Sequence, residues 1–211
     1  MEKLTFREIE NRAETELYIG KVQNGTGVKL PLNYVENSQL VGAFLHEKMV
    51  AGYMIVTSPG YRSLMFVPDE IKNSNEFFKN NQNDMLEVNG LWIGPTLKTP
   101  QQQFRVWRHI AMKVITSRKK YVLLMSNSKN KNIQHLHGLI NSVPIYEGAP
   151  NLMVGDESHE TIRVGFTTPW SIVLNAPKYL KELSQRQQRA QIFSQKQTYL
   201  RSLKHSKSEF A

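Results

Sequence analysis

Apolar and polar positions along the chain alternate between two periods, and each switch marks an element. Leu4-Thr5-Phe6-Arg7-Glu8-Ile9 alternates with period two, as a half-buried strand does. Arg12 to Gln23 carries Leu17, Ile19 and Val22 at helical spacing and stops at Asn24-Gly25-Thr26-Gly27. Two strand-like runs, 39–45 and 49–56, are joined by the short polar segment His46-Glu47-Lys48, which predicts an antiparallel hairpin. Ser58-Pro59-Gly60 breaks that pattern. Residues 63–67 either extend the sheet or open a loop, and 69–78 read as a helix before a polar loop, 79–84. A strand over 85–95, a loop over 96–100 and a helix from Gln101 through Phe104, Trp107, Ala111 and Val114 follow. Tyr121 to Met125 is a short unbroken apolar run, typical of a strand covered on both faces. A helix is expected over 131–140, ended by Pro144, then a strand over 161–166 and a long helix from Pro177 to about His205. No internal repeat is visible.

The 211 residues suffice for one sizeable domain with an appendage, and the boundary is expected near residue 170, with 171–211 a basic helical extension. The absence of Cys removes disulfides, a thiolate nucleophile and Cys-based metal centres. Met1 to Thr5 lacks the apolar stretch of a signal peptide, and no apolar run approaches the ~20 residues that cross a bilayer, so a cytoplasmic protein is expected. The net charge of +9 is uneven. From Lys178 onward eight basic residues face two acidic ones, so only three of the nine net charges belong to residues 1–177. Any contact with nucleic acid is therefore expected of the tail, where base stacking has few aromatics to work with. Docking of an acidic partner is the other use such a tail permits.

Residues 85–117 hold the clearest chemical signal. A strand feeding a helix N-terminus presents unpaired backbone N–H groups to an anion. Thr99 is placed to cap that helix, Pro100 suits its first position, and Gln102 stands three residues on as a capping-box partner. Lys98 adds a positive charge, and Arg105 and Arg108 follow one or two turns later.

The order of elements, the hairpin from Leu40 to Val56, the strand ending Ile93-Gly94-Pro95, and Tyr121 to Met125 followed by Asn130 together resemble the GNAT superfamily, the Gcn5-related N-acetyltransferases, over about residues 4–168. The resemblance implies an α/β fold with a mixed, mostly antiparallel sheet flanked by helices, and transfer of an acyl group from a thioester to an amine. In that family the pyrophosphate loop runs from the proline as x-x-[RQ]-x-x-G-x-[GA]. Counting from Pro95 puts Lys98 at the Arg/Gln position and Gln101 and Gln103 where small residues stand. Glycines there let backbone approach a pyrophosphate, whereas Gln side chains narrow the approach.

By resemblance, Ile93 and Gly94 would flank the slot for the thioester arm, beside the strand from Tyr121. Lys98, Thr99, Gln101, Gln102 and Gln103 would hold the donor's phosphate, and Asn130, before the next helix, would be a further donor-binding residue. Glu87 is the candidate base, six residues before Ile93 and so expected on the same sheet face. His137, seven residues after Asn130, is the candidate acid, with Tyr146 the alternative. The donor is either acyl-CoA or an acyl chain on a carrier protein, which offers a phosphopantetheine arm without the adenosine pyrophosphate. Eight Met residues read as core filling or as an adaptable wall for a long acyl chain. The acceptor is an amine on a small molecule, peptide or protein. No metal is expected, because His135 and His137 would point about 200° apart on a helix. A catalytically silent GNAT-like protein that binds nucleic acid or an acidic partner through its tail is the alternative function.

Overall fold

The computed structural model describes residues 3–27, 29–151 and 160–208, with side chains of the last helix described to residue 189 apart from Gln187. Seven strands form one sheet in the order β1-β2-β3-β4-β5-β7-β6. They are β1 Thr5–Glu8, β2 Gln39–Leu45, β3 Lys48–Val56, β4 Met85–Ile93, β5 Tyr121–Asn127, β6 Val143–Gly148 and β7 Ile162–Thr167. All pairs are antiparallel except β4 with β5, which are parallel and joined by a crossover helix. The helices are α1 Arg12–Thr26, α2 Leu32–Glu36, α3 Arg62–Met65, α4 Asp69–Ser74, α5 Glu76–Asn81, α6 Pro100–Thr116, α7 Lys131–Leu139 and α8 Pro169–Ser208.

The β2–β3 hairpin closes on His46 and Glu47, both at positive φ (47° and 61°), the geometry of a tight turn matched to strand twist. Two apolar clusters cover the two faces of the sheet. On one, Tyr18, Val22, Tyr34 and Val35 from α1 and α2 meet Met54, Met85 and Leu123. On the other, Val106, Ile110 and Val114 of α6 meet Val41, Tyr53, Ile55, Leu86 and Val122. Met85, Leu86 and Glu87, the three β4 residues paired with β5, are all buried, so this end of β4 is covered on both faces.

Several elements depart from expectation for local reasons. The helix over 69–78 is two short ones, because Asn75 leaves helical geometry and caps the Phe77 N–H at 2.9 Å. Residues 62–65 form α3 rather than a strand. Val143–Gly148 is a strand that Pro144 disguised; it lies at the edge of the sheet, where a missing N–H is tolerated. The last helix begins at Pro169, not Pro177. Thr168 caps it by accepting the Ser171 N–H at 3.1 Å, the same Thr-Pro opening that starts α6, and exposed Pro177 is carried inside the helix. Its first five turns lie along α6 and α7: Trp107 and Tyr179 meet edge-to-face at 5.5 Å, and Arg186 donates to the Asn132 carbonyl at 3.1 Å. No helix among the described residues is long and apolar enough to cross a membrane.

Candidate active site

The strands β4 and β5 pair only through Met85–Glu87 and Tyr121–Leu123. Beyond that they part. Val88 to Ile93 keeps only β3 as a neighbour, and Leu124 to Asn127 keeps only β7. Two strand edges therefore face each other across an opening, each with a row of backbone N–H and C=O groups. The half-buried state of every residue from Val88 to Ile93 fits strands that line a slot rather than a closed core.

A bulge shapes this opening. Met54 pairs with Asn89 but Gly52 pairs with Trp92, so β4 carries one residue more than β3 over that span. Gly90 sits there at φ 58°, and its carbonyl accepts from the Tyr18 hydroxyl at 2.6 Å. The extra residue reverses the alternation of side chains. Glu87 and Asn89 point toward α2, where both reach Tyr34, and Trp92 packs on the same side. Val88, Leu91 and Ile93 pack on the α6 side. The expectation that Glu87 and Ile93 share a face is thereby corrected: simple period-two counting fails across a bulge.

Glu87 is 3% exposed and enclosed by donors. Its carboxylate accepts from the Arg62 N–H at 2.8 Å, the Ser63 N–H at 3.1 Å, the Ser63 hydroxyl and the Tyr34 hydroxyl at 3.3 Å. The two amides are the first of α3, so the carboxylate also completes that helix N-terminus. Burial raises its pKa above the usual carboxylate range, and the hydrogen bonds from Ser63, Arg62 and Tyr34 pull part of that shift back. Asn89 donates to the Tyr34 oxygen at 3.3 Å, linking the carboxylate to the wall of the opening. Burial, and then the neighbouring Glu87 charge, push the Tyr34 hydroxyl pKa up, so it stays protonated.

The loop before α6 is held by its own side chains. Thr99 accepts the Gln102 N–H at 3.2 Å while Gln102 accepts the Thr99 N–H at 3.3 Å, completing the capping box. Gln103 donates to the Leu97 carbonyl at 2.9 Å. Gly94 donates to Val50 at 2.8 Å, and a Cβ at Gly94 would stand 2.8 Å from that same carbonyl oxygen, so only glycine fits the close approach. Lys98 and Gln101 are exposed at this end. The Gln101 N–H takes no acceptor from the described residues, whereas the Gln102 and Gln103 amides are already engaged. This cradle offers one free amide and one ammonium, enough for a single phosphate group but poor for a pyrophosphate.

The remaining candidates separate. His137 lines a cavity of about 100 Å³ with Leu124, Gln134, Arg163 and Gly165. Burial, with Arg163 adding to it, pushes its pKa down to about 4, so the imidazole is neutral near pH 7. The rest of that cavity is lined from α7, β7 and the β6 end of the sheet, and Leu124 is the one lining residue that also belongs to the β5 edge of the opening. Tyr146 lies on β6, two strands from β5, and its hydroxyl is bonded to the Ala149 carbonyl, so the structure does not bring it to the opening. Asn130 caps α7 by accepting the Ile133 N–H at 3.2 Å. His135 turns instead toward Glu182 at 3.9 Å, and among the described residues no three His, Asp or Glu side chains gather as metal ligands. Sequence reasoning missed Tyr18, Tyr34, Ser63 and Asn89. The dipeptide Asn89-Gly90 inside a strand was a legible sign of a bulge, but the three partners from α1 to α3 carry no local signature.

No protein-family model matches the chain, and no curated protein sequence matches it. Solved structures do match. FeeM, an N-acyl amino acid synthase from uncultured soil microbes, superposes with TM-score 0.58 at 11% identity, over 80% of this chain and 92% of that one. The ribosomal-protein-S18-alanine N-acetyltransferase from Escherichia coli gives TM-score 0.53 at 9% identity over 79% and 94%. The IAA acetyltransferase from Bacillus cereus gives TM-score 0.50 at 6% identity over 79% and 99%. At such identities the likeness speaks for architecture alone. The chain has the fold of the GNAT acyltransferases.

Proposed function

We propose that this protein is a cytoplasmic N-acyltransferase that moves an acyl group from a phosphopantetheine thioester to an amine. The observation that carries the proposal is the parting of β4 and β5 after Glu87 and Leu123. A pantetheine arm bears amide groups, and two unpaired strand edges suit them as an added strand would. The amine nitrogen attacks the thioester carbonyl carbon, the C–S bond breaks, and the amine's proton must leave. Glu87 receives that proton through water or the Tyr34 hydroxyl, and its burial-raised pKa suits the task. Backbone N–H groups of the β4 edge between Asn89 and Ile93 polarise the carbonyl as negative charge develops. His137 acts as a neutral N–H donor toward the departing thiolate rather than as an imidazolium.

Lys98 and the free Gln101 amide hold the donor's phosphate. Gln101 and Gln103, standing where glycines would admit a pyrophosphate, favour an arm borne by a carrier protein over CoA. The likeness to an N-acyl amino acid synthase supports an acceptor amine on an amino acid or a similarly small molecule. The test is thiol release by the full chain from palmitoyl-pantetheine, palmitoyl-CoA and palmitoyl-loaded carrier protein, with a panel of amino acids as acceptors. Release that depends on an amine supports the reading; absence of release and of binding with every donor overturns it.

A further inference from the structure

A groove of about 440 Å³ lies between α6 and α8. Phe104, Trp107, Leu180 and Leu183 form its apolar floor, and Gln101 and Lys181 stand at its edge. Phe104 is 41% exposed, unusual for a Phe on a helix whose opposite face is core. The groove opens at the N-terminus of α6, so Gln101 belongs both to it and to the phosphate cradle.

The charges around the groove have one sign. No acidic residue occurs in α6. Arg105 follows Gln101 by one turn, Arg108 follows Phe104 by one turn, Lys98 precedes the helix, and Lys178 and Lys181 stand on α8. The nearest carboxylate on α8, Glu182, is bonded to Arg186 at 2.9 Å and turned toward His135 on α7. Among the described residues Lys98, Arg105, Arg108 and Lys181 form no ion pair. An apolar trough lined by Lys181, with Lys98, Arg105 and Arg108 within two residues of its lining side chains and all outside any ion pair among the described residues, complements an amphipathic helix with acidic flanks. Nucleic acid fits less well, because the aromatic side chains lie in the trough rather than along a basic track.

We propose that the α6–α8 groove docks an acidic amphipathic helix of the carrier protein that delivers the acyl group. This rests on the acyltransferase reading and adds the surface and the partner. Docking there sets the carrier beside Lys98 and Gln101, so its phosphate enters the cradle and its arm runs into the β4–β5 opening.

The experiment compares the full wild-type chain with R108E/K181E and with F104A, each checked for an unchanged thermal midpoint. Affinity for a palmitoyl-loaded bacterial acyl carrier protein is measured by calorimetry, and thiol release is followed from that carrier and from free palmitoyl-pantetheine. Charge reversal is expected to weaken carrier binding at least about tenfold, the effect of losing ~1.4 kcal/mol. F104A weakens it severalfold. Release from free palmitoyl-pantetheine stays within about twofold of wild type, since none of these residues holds the arm. Equal carrier affinity in wild type and R108E/K181E overturns the docking surface while leaving the acyltransferase reading intact. A wild type that neither turns over nor binds any donor overturns both readings, and carrier binding without turnover leaves the docking to the calorimetric comparison. A single-stranded oligonucleotide that displaces the carrier from wild type would reassign the groove to nucleic acid.

Discussion

Replacing Glu87 with Gln separates the two tasks given to this carboxylate. In the native site one oxygen accepts from the Ser63 amide and hydroxyl, the other from the Arg62 amide and the Tyr34 hydroxyl. A Gln keeps one oxygen and turns an NH₂ toward the other pair. A hydroxyl can rotate to accept, but a backbone N–H cannot, so one amide of α3 is left facing another donor. An unsatisfied buried donor costs about 1–3 kcal/mol, and that is the expected loss of stability near pH 7. The pH dependence has a definite sign. Because folding raises the Glu87 pKa, the native state binds more protons than the unfolded chain in the window above the ordinary carboxylate pKa. Stability contributed by this group is therefore greatest at the acidic end and falls as pH rises through the native pKa. Urea denaturation of wild type and E87Q across pH 4.5–8 should show their stability difference shrinking with increasing pH. A difference that grows with pH would mean the hydrogen bonds outweigh burial, and would refute the raised pKa. Removing a base should lower kcat by about 10²–10⁴. An E87Q enzyme with the expected instability but full kcat would leave Glu87 an anchor for α3 and nothing more.

Three further outcomes follow from the same geometry. Gly90→Ala puts a Cβ at φ 58° against the buried Tyr18 hydroxyl, so left-handed strain and overpacking together should destabilise by about 2–5 kcal/mol in the same urea assay; a change under about 0.5 kcal/mol would deny the bulge. Lys98→Ala should raise KM for palmitoyl-pantetheine 4′-phosphate severalfold while leaving the phosphate-free thioester unaffected, and equal effects on both would remove Lys98 from the cradle. His137→Gln should leave the shape of the kcat profile between pH 6 and 8 unchanged, because a group with pKa about 4 does not titrate there; loss of a limb near pH 6.5 would place a protonated His137 in the reaction.

The legible parts of this chain were those fixed by contiguous residues. The hairpin, the capped start of α6 and the apolar β5 run follow from local pattern, since turn chemistry and capping act over three or four residues. What escaped depends on distant partners. The Glu87 cage is built from Tyr34, Arg62 and Ser63, brought together by tertiary packing of α2 and α3 on β4. The face of Ile93 was lost because a single bulge residue inverts everything after it. Pro144 and Pro177 misled in opposite ways: one sits in an edge strand, the other inside a helix already capped at Thr168. The cradle was half legible. The missing glycines and the Gln102 capping bond were plain in the sequence, but only the structure shows that Gln103 also bonds the loop's own backbone.

The most direct test of the central claim is a crystal structure of the full chain with a non-hydrolysable palmitoyl thioether of pantetheine 4′-phosphate. The account predicts the arm between Asn89–Ile93 and Leu124–Asn127, its amides paired with both strand edges and its phosphate beside Lys98 and Gln101. An arm bound elsewhere, or an opening closed by direct pairing of β4 with β5 in the presence of the ligand, would contradict it.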